Sequence, residues 1–285
     1  MKQLIVTGDD FGASTLVNEA IEQAHRGGIL NTTCLMVAGG AASDALRRAK
    51  RLPSLRVGLH VVVVDGRPLL EPHAIPALVD KNGEFSKQLV RAGFNFFFNP
   101  AAQRQLEAEI RAQFEAFRAT GLELDHVNSH NHMHLHPTIL GAIIRIGRDY
   151  GVKAMRVPRE PFGPSWRATR SGLGLRFGNS IVLAPMLGLM QARLRRAGIA
   201  SNDFVFGLSD TGHMTAERVR ALLRALPDGV TEMYFHPASR TWPGMPAWAQ
   251  AEEELAALTD VGIARYIADA GIAVTTYGAL ANAAA

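Results

Sequence analysis

Residues 125–136 read Asp-His-Val-Asn-Ser-His-Asn-His-Met-His-Leu-His and run straight into Pro137. Asn128 and Ser129 favour a turn, so the stretch is expected to be a short strand, His126-Val127, that ends in a loop. Where it stays extended, alternation places His130, His132, His134 and His136 on one face; a helix would pair only His130 with His134 and His132 with His136. The periodic apolar run from Pro137 to Tyr150 reads as a helix, Val152 to Val157 as the next strand, and Ala101 to Thr120 as the helix before. Helix, strand, loop, helix, strand is the rhythm of a parallel sheet.

The same rhythm extends in both directions. Leu4 to Thr7 is a short apolar strand, Gly8-Asp9-Asp10-Phe11-Gly12 a loop at its carboxyl end, and Ser14 an N-cap for a helix that stops at Gly27-Gly28. Cys34 to Val37 reads as a second strand, Ala41 to Arg51 as a helix, and Arg56 to Leu59 as a third strand that delivers His60. Thr215 to Ala225 is helical, Thr231 to Phe235 is a strand ending at His236, Glu252 to Ala270 is helical, and Ile272 to Thr276 closes the chain. Repeated βα units imply an α/β fold whose parallel sheet is closed as a barrel or open and doubly wound. At 285 residues the whole of 1–285 is expected to be one domain. Two insertions break the rhythm, 61–100 with its aromatic cluster Phe94, Phe96, Phe97 and Phe98, and 159–196, rich in Gly and apolar residues. Both are long enough to be functional lids.

Composition narrows the function classes. The hydrophobic fraction is 47% and the charged fraction 20%, ordinary for a globular enzyme. The net charge of +4 comes from 25 Arg and 5 Lys with no long basic run, so nucleic acid is not indicated, while contact with anionic lipid fits. Cys34 is the only cysteine, which excludes a disulfide framework and a multi-cysteine zinc site. Met1-Lys2-Gln3 leads into a strand without an apolar h-region, so a cytoplasmic location is expected.

Five of the ten histidines lie between His126 and His136. Neutral imidazole binds zinc and similar ions and exchanges protons near neutral pH, so one or two of these residues are expected to hold a metal and the others to orient them or touch substrate. A polar loop of solvated histidines is the plain alternative. Asp9 and Asp10 follow a buried strand, and adjacent carboxylates there repel unless a cation or shared proton relieves them; one would ligate and the other act as base, or both would cap the following helix. Asp10, His60 and His130 all map to carboxyl ends of strands, where α/β folds gather their sites. His236, in Tyr234-Phe235-His236-Pro237, reads as a proton donor or acceptor near the metal. His25 and His73 fit no such pattern, and His213 is either a pocket residue or plain loop.

Asp9-Asp10-Phe11-Gly12, Gly58-Leu59-His60, Asn128 to His134 and Phe235-His236-Pro237 resemble, in order and spacing, the four signatures of the YdjC-like carbohydrate deacetylases. The resemblance runs from the first strand to at least Pro237. It implies an irregular, TIM-barrel-like (β/α) barrel and metal-dependent removal of an N-acetyl group from an amino sugar, with a divalent ion, zinc or magnesium, held by the residues matching Asp10, His60 and His130. Asn128 stands where the family usually has Asp, which removes a negative charge behind the ligands. Segments 58–68 and 101–136 look most like the hopanoid-biosynthesis-associated branch, which implies a lipid-linked N-acetylglucosamine as substrate.

On this reading Asp9 is the base, His236 the proton donor, and His132 and His134 contact substrate or orient ligands. Arg156 either holds sugar hydroxyls or forms a structural ion pair. A metal hydrolase of a phosphoester or cyclic amide, or a non-catalytic sugar-lipid or metal-binding protein, would use a similar residue set. Segment 172–197 also carries two readings. Ile181, Val182, Leu183, Met186, Leu187, Leu189 and Met190 followed by Arg193, Arg195 and Arg196 suit peripheral contact at the inner face of a membrane, or a buried barrel helix with a cationic last turn.

Overall fold

A computed structural model describes residues 1–242 and 244–283. The strands are β1 (Lys2–Phe11), β2 (Thr32–Leu35), β3 (Arg56–Val61), β4 (Val127–Ser129), β5 (Phe204–Phe206), β6 (Gly229–Phe235) and β7 (Ala273–Val274). The helices are α1 (Thr15–Gly27), α2 (Ala42–Lys50), α3 (Leu89–Phe98), α4 (Pro100–Ala119), α5 (Pro137–Gly147), α6 (Phe162–Thr169), α7 (Leu173–Ala197), α8 (Ala216–Arg224), α9 (Ala251–Leu258), α10 (Val261–Asp269) and α11 (Tyr277–Ala283). The strands pair in parallel in the order β4-β3-β2-β1-β6-β5, with β7 beside the first residues of β1. Parallel bridges from Val127 to Met155 and from Ala154 to Ala200 continue the sheet past β4, so it curls into a barrel-like α/β fold.

Local chemistry sets the element ends. Ser14 accepts the Leu16 amide at 3.1 Å and starts α1, and Asn99, with Pro100 in the first turn, caps α4 through the amides of Ala101 and Ala102. Leu4, Ile5 and Val6 of β1 are fully buried, as a strand covered on both faces must be.

Several expected elements differ in detail. β2 begins at Thr32 and ends at Leu35, so Met36 and Val37 already belong to the turn. Val152 to Val157 makes bridges only. The Asn202 side chain accepts from the Val157 amide at 2.8 Å and donates to its carbonyl at 2.9 Å, taking the place of a neighbouring strand. The stretch 252–270 splits because Asp260 caps a new helix by accepting from the Ile263 amide at 2.9 Å. After β7 the chain adds α11, whose Tyr277 is buried. The first insertion supplies α3 and the second α6 and α7. Helix α7 divides the apolar residues of 172–197: Leu187, Met190 and Leu194 pack inward, while Leu173, Leu175, Phe177, Ile181, Val182 and Leu189 are exposed.

Candidate metal centre

The two aspartates lie inside β1, near its end, rather than in a loop after it. The β1–β2 register shifts between Gly8 and Phe11, and Asp10 takes a left-handed backbone with φ 63°. Asp is one of the few side chains that tolerate this conformation, and the irregularity sends the two carboxylates into different surroundings.

Asp9 is 2% exposed. Arg156 Nη1 donates to its Oδ2 at 2.6 Å and Nη2 to its Oδ1 at 2.8 Å. The same guanidinium donates from Nε to Glu232 Oε2 at 2.7 Å and from Nη2 to Oε1 at 2.8 Å. Burial alone would raise the Asp9 pKa; Arg156 outweighs it and holds the carboxyl well below its ordinary value. The repulsion expected between the aspartates is thus relieved on the Asp9 side by a side chain.

Asp10 has no such partner. Its Oδ1 lies 3.2 Å from His60 Nε2 and 3.3 Å from His130 Nδ1, yet neither Oδ1 nor His60 Nε2 makes a hydrogen bond. Ligand atoms about 2.0–2.1 Å from a tetrahedral ion sit roughly 3.3 Å apart, so these separations suit a shared cation. Two orphaned buried atoms, one carboxylate and two imidazoles make Asp10, His60 and His130 a candidate metal site. Burial would raise Asp10, but His130 and His60 hold it well below the usual carboxylate range. Burial would lower His130, and the Asp10 carboxylate reverses that and raises it. Asp9, Cys34 and His60 also lie close together. That group suits a cation poorly, because Arg156 holds both Asp9 oxygens and burial, then the Asp9 charge, push the Cys34 thiol well above its ordinary pKa.

His60 Nδ1 faces Asn128 at 2.7 Å. In one amide orientation Asn128 Oδ1 accepts the Nδ1 proton while Nδ2 reaches Asp9 Oδ1 and Cys34 Sγ, each at 3.3 Å. In the other, Nδ2 donates to Nδ1 and Oδ1 accepts from Arg156 Nη1 and Nη2 at 3.0 and 3.2 Å. The second satisfies more groups. Ligation through Nε2 nevertheless requires the first, because the proton must then sit on Nδ1. Ligation of an ion by His60 Nε2 would therefore turn the Asn128 nitrogen toward the Arg156 guanidinium, donor against donor.

The histidine run does not share a face. After β4 it becomes a tight 3-10 segment, His130–Leu135, with Asn131 and His132 both at φ 52°. His130 points to Asp10. His132 Nε2 meets the Tyr234 hydroxyl at 3.0 Å and its Nδ1 is buried without a partner; burial and then Arg156 lower its pKa to about 3, so it is neutral. His134 is fully buried, its Nδ1 2.7 Å from Ser129 Oγ and its Nε2 unpartnered. His136 caps α5, and His126 stacks on Tyr277 at 4.5 Å. His236 is half-buried after β6, its amide donating to Glu254 Oε2 at 2.5 Å. Arg156 is 0% exposed with its guanidinium on Asp9 and Glu232; of its two expected roles the structure shows the ion pair. His213 contacts Gln250 at 3.2 Å, and His25 bonds Leu30 and Ser54, both away from Asp10.

Cys34, Glu232, Tyr234 and Glu254 were not singled out from sequence as parts of this arrangement. Glu232 had a readable signal. A carboxylate in the middle of the apolar strand Thr231 to Phe235, two residues from Tyr234, must face a buried partner.

The family profile described as YdjC-like protein matches residues 3–269. A carbohydrate deacetylase from Thermoanaerobacter pseudethanolicus is 27% identical over 284 residues, 98% of this chain and 100% of the relative. One from Geobacillus stearothermophilus is 31% identical over 277 residues, 96% of each. The crystal structure of a putative cellobiose-phosphate cleavage protein from Enterococcus faecalis superposes with a TM-score of 0.75 at 24% identity over 97% of both chains, which shows a shared fold.

Proposed function

This chain belongs to the YdjC-like protein family, and on that premise we propose that it is a metal-dependent carbohydrate deacetylase that hydrolyses the N-acetyl group of an N-acetylglucosamine-type sugar. The observation that carries the reading is the pair of orphaned atoms, Asp10 Oδ1 and His60 Nε2, facing each other beside His130. Asp10, His60 and His130 would hold a divalent ion, zinc or magnesium, which would polarise the acetyl carbonyl and acidify the attacking water.

The chain's own groups then move the protons. Asp9 accepts one from the water. Arg156 keeps that carboxylate ionised and fixed in place; its lowered proton affinity makes it a weak base, so the transfer relies on the ion to acidify the water enough. His236, one residue past the pairing of Gly8 with Phe235 that sets β6 beside the aspartates of β1, gives a proton to the departing amine as the C–N bond breaks, leaving acetate and a free amino sugar. His132, half-buried and held neutral against Tyr234, is the candidate for substrate contact, while His134 is the more deeply buried and braces Ser129 beside His130. With its Oδ1 turned to His60 Nδ1, Asn128 would keep the proton there and leave Nε2 for the ion.

A lipid-linked sugar is the finer reading of the substrate, with the enzyme acting from the cytoplasm. The apolar helix α7, in the long connection between the Met155 bridge and β5, supports it. Incubation of the metal-loaded protein with acetylated amino sugars, free and lipid-linked, should release acetate and show loss of one acetyl group by mass spectrometry. Turnover confined to phosphoesters or cyclic amides would overturn the assignment.

A further inference from the structure

Both insertions place exposed apolar helices beside the site. In α3, Val90, Phe94, Phe97 and Phe98 are exposed, Val90 to 75% and Phe98 to 69%. In α7 the outward residues run from Leu173 to Leu189, roughly 24 Å at the usual helical rise, with Val182 at 70%. The two helices are anchored on the same turn. Phe96 and Phe97 pack edge-on against His136, and Arg193 Nη1 donates to the Pro137 carbonyl at 2.9 Å. That turn opens α5 directly after the histidine run, so both helices belong to connections that leave the carboxyl ends of strands, where the site lies.

The charges on these segments have one sign. Residues 161–200 contain six arginines and no Asp or Glu, and 85–106 contain Lys87, Arg91 and Arg104 and no carboxylate. Among the described residues Arg91, Arg167, Arg195 and Arg196 are exposed and pair with no acid. Lys87 lies 3.8 Å from Asp65, the one acid beside it.

We infer that α3 and α7 form a docking surface for an anionic lipid bilayer at the mouth of the active site. Exposed aromatic and branched side chains dip into the acyl boundary while unpaired arginines meet anionic head groups. By length and composition α7 is apolar enough to cross a membrane. Its attachments make it lie on the protein instead: Arg176 Nη2 donates to buried Asp210 at 2.6 Å, Arg193 holds Pro137, and Leu187, Met190 and Leu194 are inside. A spanning helix would have to break all of these.

Vesicle binding requires no turnover, so its failure leaves the deacetylase reading standing, and failure of that reading leaves this one. The full chain is spun down with phosphatidylcholine vesicles that do or do not contain phosphatidylglycerol. Wild type should pellet with the anionic vesicles and release as salt rises. Ile181→Ser with Val182→Ser, and separately Val90→Ser with Phe98→Ser, should each lower partitioning about tenfold or more, and unchanged metal content should show that the fold is intact. Arg195→Glu with Arg196→Glu should remove the preference for anionic lipid. Equal pelleting of the variants and wild type, or no pelleting of wild type, would overturn the inference. So would light scattering that shows these residues buried in a dimer which the serine variants dissociate.

Discussion

Asp9 and Asp10 are joined by one peptide bond, and the surroundings of the two carboxylates have opposite character. Asp9 belongs to an interior layer in which Arg156, Glu232, Tyr277 and Thr7 satisfy one another; Tyr277 and Thr7 both donate to Glu232. Asp10 belongs to a rim where close polar atoms face each other without bonds. A buried polar group that finds its partners in the chain is fixed in orientation and charge, and one that is left without them is open to a ligand. The strand irregularity between Gly8 and Phe11 is what separates the two layers.

The largest effect that would probe this comparison is on the interior layer. Arg156→Met leaves Asp9 and Glu232 buried with no cation between them, and unfolding in urea should show a loss of about 3–5 kcal/mol. A loss below about 1 kcal/mol would mean that the layer is not held by this pairing.

Asp9→Asn keeps most of the hydrogen-bonding shape and removes the charge. It should retain the metal and lower kcat by on the order of 100-fold or more, the usual scale for loss of a general base. A near-normal kcat in a metal-loaded variant would leave Asp9 a purely structural role.

A smaller effect sits at the join between the two layers. In Asn128→Asp a carboxylate can accept from His60 Nδ1 and from Arg156 at once, removing the donor-against-donor contact that ligation imposes on the amide. Competition with a chelating dye should show metal binding tightened about tenfold. Unchanged or weaker binding would show that this contact costs nothing.

The smallest effect is expected at His25, whose ring nitrogens bond Leu30 and Ser54 on the far side of α1. His25→Ala should cost about 1 kcal/mol of stability and leave metal content unchanged. Loss of metal there would show that the site is sensitive to general destabilisation.

How much of this was legible follows from which interactions are local. The βα rhythm, the cap at Ser14 and the strand-end positions of Asp10, His60 and His130 could be read because periodicity and turn chemistry act over a few residues. The Asp9–Arg156 pair joins residues 147 apart, and nothing local distinguishes it from a sugar-binding arginine. The histidine alternation misled in a similar way. Left-handed backbone at Asn131 and His132 turns the run into a tight coil, so spacing along the chain does not set where each ring points. The face of α7 could not be read either, since Leu187 and Val182 are equally apolar and only packing decides which one is buried.

The comparison between the aspartates is tested most directly by counting metal ions per chain in purified Asp10→Asn and Asp9→Asn, with His60→Ala and His130→Ala alongside. Asp10→Asn and both histidine variants should lose the ion, because a three-ligand site does not survive removal of one donor, while Asp9→Asn should keep it. Metal retained in Asp10→Asn and lost in Asp9→Asn would contradict the account.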